Sequence, residues 1–328
     1  MDEELKRLML ALTQHADDLQ LYANGIAEDA LDELDATEEA IYRLIDAIYA
    51  WHEKNGMWPD YGTFRYFKDL ERKIREIRSR VFDREEEKTT EASRAVAKEE
   101  SRFLADFYAF LTGAVIAAPT GKQLENIAKY GIYNGNTVKQ IFDKLGQSDA
   151  NRIYDAITDS IQKGKSAAEA LRAVRRELAK SRRFVKAEIE TIINGVANDA
   201  ALAFAAANKT QLVYSAVLDD HVCGECAGFD GQIFEYDDPD IPSLPRHINC
   251  RCRLIPASGD GEKIVPAPFE EYLKSLPKAE QRKRLGKAKY AAWRSGNYRI
   301  GNYETPDGGQ RLSMAEVEKR NRLLTSAE

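Results

Sequence analysis

At 328 residues the chain is long enough for two domains with an extended arm, and with 31% charged residues it has no apolar run long enough for a membrane-spanning helix. A formal net charge of −6, from 48 Lys and Arg against 54 Asp and Glu, excludes a chain that binds nucleic acid by overall charge and leaves only local basic patches for that role. All four cysteines fall between positions 223 and 252, so whatever soft-ligand chemistry the chain has is concentrated there.

The opening Met1-Asp-Glu-Glu-Leu5 is acidic and helical, unlike the basic and apolar start of a secretory leader. Up to about Leu111 the pattern predicts helices. Ile41, Leu44, Ile45 and Ile48 follow a start signal at Asp35 to Glu38, and Asn55-Gly56 with Pro59 stops that run. A second run carries Phe67, Leu70, Ile74, Ile77 and Val81. It leads into the charged stretch Asp83 to Lys88 and then a helix ending in Phe103, Leu104, Phe107, Phe110 and Leu111. Narrow apolar stripes with dense charge elsewhere mark helices packed side by side, or an arm that meets a partner. His15 and His52 lie here and read as surface or packing residues.

Between Ala114 and Lys209 shorter helices are expected, punctuated at Pro119-Thr-Gly121, Asn134-Gly135 and Gly164. Thr137 to Gln140 and Ser166 to Glu169 read as capping boxes. The last helix of this part, with Val185, Ile189, Ile192, Ile193, Val196, Leu202 and Phe204, is apolar enough to form its core. Gln211 to Val217 and Gly231 to Glu235 read as short strands. An irregular loop follows, then a linker from Pro256 to Pro268 and a helical tail with a capping box at Ser313 to Glu316.

The cysteines stand as Cys223-Gly-Glu-Cys226 and His247-Ile-Asn-Cys250-Arg-Cys252. Two thiolates two residues apart reach one metal through a tight turn, and a second pair about twenty residues on completes a tetrahedron, as in zinc knuckles. Five donors compete for four places: Cys223, Cys226 and His247 are firm. Cys250 is favoured slightly over Cys252, on the expectation that an extended Cys-x-Cys turns its two side chains to opposite faces. Two disulfides, or thiols with no joint role, are the alternatives. No general base accompanies the cluster: the zinc deaminase order of His-x-Glu before Pro-Cys-x-x-Cys is absent, and His221-Val-Cys223 does not replace it. A structural Zn2+ site is therefore expected.

The order of an Ala-rich helix, a strand, Asp219-Asp220, Cys223-x-x-Cys226, Gly228 to Phe234 and Pro245-x-His247-x-x-Cys250-Arg251-Cys252 resembles the phage head morphogenesis or minor head proteins, the Mu protein F-like family. Leu276-Pro277, Arg284 to Gly286 and Trp293 to Gly296 add weaker support. The resemblance implies a protein carried in few copies in a tailed-phage capsid, at or near the portal vertex, and concerned in some members with DNA packaging or ejection. It matches Cys223, Cys226, His247, Cys250 and Cys252 to the family's metal-binding string. The chain departs from the family at Tyr214, where Trp is common, and near Asn194-Gly195, where an Arg-Thr-Glu triplet is usual. Loss of the triplet argues against a polar contribution from that helix.

Two basic stretches stand out. Arg172 to Lys186 is accounted for equally well by a solvated helix face. Arg282, Lys283, Arg284, Lys287, Lys289 and Arg294, interleaved with Tyr290 and Trp293, suit phosphate contact and stacking. Arg246, Arg251 and Arg253 would join them if the tail folds back on the knuckle.

The expected architecture is α+β and mostly α-helical. It comprises an N-terminal helical arm or bundle (1–112), a Mu F-like domain (113–256) with a Cys/His knuckle at 219–253 and a small β element, and a linker with a helical tail (257–328). The expected function is structural and not enzymatic: a minor capsid protein in the virion, assembled in the host cytoplasm, with the portal protein as partner. The major capsid or scaffolding protein and double-stranded DNA are further candidate partners. The rival readings are a Mu F-like module of an effector or toxin enzyme, and a cellular zinc-dependent nucleic-acid-binding module. Against the first stands the absence of a phosphate-binding Gly-rich loop, a nucleophile elbow or a paired-His motif.

Overall fold

The structure, a computed structural model, describes residues 3–58, 65–216, 223–257, 274, 277–279, 281–282, 290–291, 293–295 and 311–325. In chain order its elements are α1 (Glu3–Ala36), α2 (Glu38–Asn55), α3 (Arg65–Thr112), α4 (Gly121–Tyr130), α5 (Val138–Gln162), α6 (Ala167–Asn208), β1 (Leu212–Ser215), α7 (Gly224–Phe229), β2 (Ile233–Phe234), β3 (Arg253–Pro256) and α8 (Met314–Leu324). The protein is α+β and mostly helical, with one small sheet among the described residues. No helix among the described residues is long and apolar enough to cross a membrane.

The helix signals of the sequence act locally. Thr137 and Ser313 each form a complete capping box, and so does Thr120 with Gln123, where the sequence showed only a break at Pro119. At Ser166 the Glu169 carboxylate accepts from both the backbone N–H and the hydroxyl, at 2.9 and 2.7 Å. Helix α2 ends at Gly56, whose φ of 67° lets its N–H turn back to the His52 carbonyl at 2.8 Å.

One expected interruption is absent, and one helix is longer than expected. Asp83 to Lys88 lies inside α3, which runs unbroken for 48 residues, because these residues are helix formers and Lys88 bonds to both Glu33 and Glu85. The short helices expected up to Lys209 include one of 42 residues, α6, which continues through Gly195. That glycine serves packing: a Cβ there would lie 2.4 Å from the Tyr133 ring and 2.8 Å from Pro245 Cδ.

The chain forms two compact units, each discontinuous in sequence: residues 1–25, 92–135 and 190–328 in one, and 26–91 and 136–189 in the other. Helices α1, α3 and α6 contribute residues to both. In the second unit Ile41, Ile45 and Ile48 of α2 pack with Phe67, Leu70 and Ile74 of α3, with Ile153, Ile157 and Ile161 of α5, and with Val174 and Leu178 of α6. Full burial of such a side chain contributes about 1.5–3 kcal/mol. Beside this core the Arg78 guanidinium, 1% exposed, bonds to Asp149 and to Thr37 Oγ1. Ser181 and Arg152 also bond to Asp149, so the buried pair is satisfied from several helices.

In the first unit Phe103, Leu104, Phe107 and Tyr108 of α3 pack against Ala201 and Phe204 of α6. The sheet has the order β2-β1-β3, antiparallel throughout, with Leu212 opposite Phe234 and Pro256, and Val213 opposite Ile233 and Ile255. Its third strand is drawn from Arg253–Pro256, directly after the last cysteine and just before the expected linker. The Tyr108 hydroxyl donates to the Pro256 carbonyl and ties this strand to α3.

Candidate metal centre

Cys223 is the N-cap of α7, with extended backbone (φ −79°, ψ 154°), and its Sγ accepts the Cys226 N–H at 3.3 Å. The sulfur stands where a Ser or Asp oxygen usually caps a helix, and the turn brings the second thiol onto the same side. The second pair is set by another turn. Asn249 takes a left-handed φ of 61°, and the Cys250 N–H donates to the His247 carbonyl at 3.0 Å.

Sulfur and nitrogen donors converge. Cys223, Cys226 and His247 form one group and Cys226, Cys250 and Cys252 another, with the ligand atoms of each group within 4.8 Å of one another and Cys226 common to both. Cys226, Cys250 and Cys252 are buried, Cys223 is half-buried, and all four are unbridged thiols. The reasoning that set Cys250 against Cys252 is corrected here. Side chains alternate along an extended segment with a period of two, so residues two apart share a face, and both sulfurs reach Cys226.

The His247 ring is oriented for coordination. Its Nδ1 lies 2.9 Å from the Ile248 carbonyl oxygen, which can only accept, so Nδ1 carries the proton and Nε2 turns its lone pair toward Cys226 Sγ at 3.5 Å. A backbone carbonyl on the outer ring nitrogen is the usual support of a metal-bound histidine.

The thiols titrate unequally. The Cys226 N–H, with help from His247, holds the Cys223 thiol below its ordinary value. Hydrogen bonding from Cys252 and from backbone groups, with His247 nearby, brings Cys250 down to about 5. Burial pushes Cys226 up to about 11. Burial would lower His247, but the Ile248 carbonyl and the neighbouring thiols outweigh it and raise the imidazole. The Tyr214 hydroxyl is raised by burial and by the Cys226 and Cys252 sulfurs beside it. Three soft thiol donors around Cys226 and an imidazole with its Nε2 turned toward them are a donor set that could hold a metal ion.

Helix α6 supplies a polar row that the sequence reading did not assign. Thr191 Oγ1 accepts the Asn249 N–H at 2.8 Å. Asn194 Nδ2 donates to the carbonyls of Cys250 and Cys252 at 2.8 and 3.2 Å. Asn198 Nδ2 donates to the Cys252 carbonyl at 3.0 Å, and its Oδ1 accepts the Leu254 N–H at 2.7 Å. The polar contribution discounted for want of an Arg-Thr-Glu triplet is present in another form. Its sequence signal was Thr191, Asn194 and Asn198 recurring at helical spacing beside the apolar Ile192, Ile193 and Val196.

The basic residues are dispersed. Arg253 is buried, with Nη2 2.8 Å from Glu100 Oε2 and Nη1 3.2 Å from Asn194 Oδ1, so it faces the interior. Arg251 lines a cavity of about 30 Å³ with Asp17, Gln20, Glu190, Asn194 and Arg253. Arg246 pairs with Glu225 and lies over the Phe229 ring. Arg282 and Arg294 are exposed, Tyr290 is half-buried and Trp293 buried. Lys283, Arg284, Lys287 and Lys289 lie outside the described residues, as do Asp219, Asp220 and His221. In the other stretch Lys180, Arg182 and Lys186 pair with Glu177, Asp35 and Glu28. His15 is a buried packing residue stacked on Phe103, and His52 stacks on Trp58.

Residues 151–255 match the family of Phage Mu protein F like proteins. This segment is similar to that family, and the match contains all five donors together with Thr191, Asn194 and Asn198. No curated protein and no solved structure matches.

Proposed function

We propose that this Mu F-like chain is a minor capsid protein of a tailed bacteriophage, structural and without catalytic activity, that docks at the portal or the inner capsid of the virion. The observation that carries this reading is the family match over the segment that also builds the donor cluster. Zn2+ held by Cys223, Cys226, His247 and the Cys250/Cys252 pair would staple an irregular loop and a three-stranded sheet too small to be stable alone. More protein donors than a tetrahedral ion needs leave no open position for water, which favours a structural over a catalytic ion.

DNA contact during packaging or ejection would fall to basic groups of the tail: the exposed Arg282 and Arg294, and the sequence neighbours Lys283, Arg284, Lys287 and Lys289. The buried Arg253 is unsuited to it.

The test is the composition of particles. Purified procapsids and virions of the parent phage should contain the chain in few copies, and the chain should co-purify with the portal protein when the two are co-expressed. Its absence from particles, with no portal association, would overturn the reading. For DNA, affinity should fall with rising salt, and charge-neutral replacement of Arg282 and Arg294 should make the salt dependence shallower; salt-independent binding would remove the DNA role.

A further inference from the structure

The outer edge of β3, which no other strand among the described residues pairs, is completed by helix α6. Extended backbone presents alternate peptide groups along one edge, about 6.6 Å apart. One helical turn advances about 5.4 Å, so side chains on one face of a helix can meet alternate peptides of a strand lying along it. Asn194 and Asn198, one turn apart, do this. The Asn198 amide donates to the Cys252 carbonyl and accepts from the Leu254 N–H, as a paired strand would. The Asn194 amide takes the carbonyls of Cys250 and Cys252, and Thr191 fixes Asn249 at the turn.

The register of this contact decides which side chains face the other cysteines. A slip of one residue would turn Arg251 and Arg253 toward Cys226 and carry the two thiols away. We infer that Asn194 and Asn198 are positioning residues of the metal centre: their amides hold 250–254 in the register that delivers both Cys250 and Cys252 to the ion. The inference rests on the metal-binding reading of the cluster.

Cobalt titration of the full chain tests it, because thiolate-to-cobalt absorption reports how many sulfurs are bound and a merely structural residue would leave it unchanged. The parent chain should bind one Co2+ with a thiolate-rich tetrahedral spectrum. Asn198→Ala and Asn194→Ala, each checked for helix content by circular dichroism, should lose part of the thiolate absorption and bind zinc about 10–100-fold more weakly. Variants with the parental spectrum and zinc affinity, even if less heat-stable, would overturn the inference while leaving the metal reading intact. A parent chain that binds neither ion would overturn both. If Asn198→Ala does not fold, Asn194→Ala keeps the Leu254 bond and carries the test.

Discussion

Glu100→Gln should destabilise the protein by about 3 kcal/mol at pH 7. Glu100 Oε2 accepts from His15 Nε2 and from Arg253 Nη2, both at 2.8 Å, and the three side chains are between 2% and 9% exposed. The other His15 ring nitrogen, Nδ1, lies 3.0 Å from Asn321 Oδ1, and the Asn321 amide is oriented by its bond to Glu99 at 2.6 Å. The carboxylate balances the buried Arg253 guanidinium. Both bonds end on the one oxygen, so a glutamine oxygen in its place could keep both as bonds to a neutral acceptor. The substitution would forfeit their charge assistance and leave the buried Arg253 guanidinium unbalanced, where breaking a buried pair costs about 3–5 kcal/mol. Burial pushes the Glu100 carboxyl up, but Arg253 and His15 outweigh it and hold it below the ordinary range. Stability from a depressed carboxyl is full above its unfolded value near 4.3 and is lost as pH falls through the lower folded value. Urea titration followed by circular dichroism should therefore show a gap between parent and variant at pH 7 that narrows in acid below pH 4. A gap under about 1 kcal/mol at pH 7 would refute the reasoning.

Burial, partly offset by the Tyr133 hydroxyl, pushes the Asp199 carboxyl up to about 7, so stability falls as pH rises from its unfolded value near 3.9 toward 7. Asn at this position keeps an acceptor for Tyr133, and Asp199→Asn should raise the melting temperature at pH 8, by roughly 2 kcal/mol of stability once partial solvent access is allowed for, and flatten the pH profile; an unchanged profile would count against a buried acid. Gly195→Ala forces a Cβ within 2.4 Å of Tyr133 and should cost about 1–3 kcal/mol, whereas Gly146→Ala, 3.3 Å from Phe82 Cβ, should cost less; melting curves that reverse this order would contradict the packing. Asp149→Ala strands the buried Arg78 and should cost about 3–5 kcal/mol, much of it recovered in the double variant with Arg78→Met; a double-mutant cycle with no coupling would show that the pair is not the source.

The residues that announce themselves locally were legible. Thr137 and Ser313 cap helices through their own hydroxyls and side chains three residues on, and Ile41, Ile45 and Ile48 repeat at the helical period. The five sulfur and imidazole donors were marked by residue type and spacing, because tight turns bring residues two or three apart together regardless of the rest of the fold. Continuity of α3 through Asp83 to Lys88 was not legible, since a charged run is compatible with helix or loop until Lys88 meets Glu33.

Tertiary structure alone decided the remainder. That Arg253 is an interior residue depends on Glu100, 153 positions away, and the backbone carbonyls of Cys250 and Cys252 are held by asparagines more than 50 positions earlier in α6. A side chain's chemistry is fixed by its type, but whether a guanidinium meets solvent or a buried carboxylate is fixed by which distant segment packs against it. The sequence by itself therefore determined the donors and the helices. The fold determined how the donors are aimed and which charges remain at the surface, because burial and long-range hydrogen bonding are properties of packed segments and not of spacing along the chain.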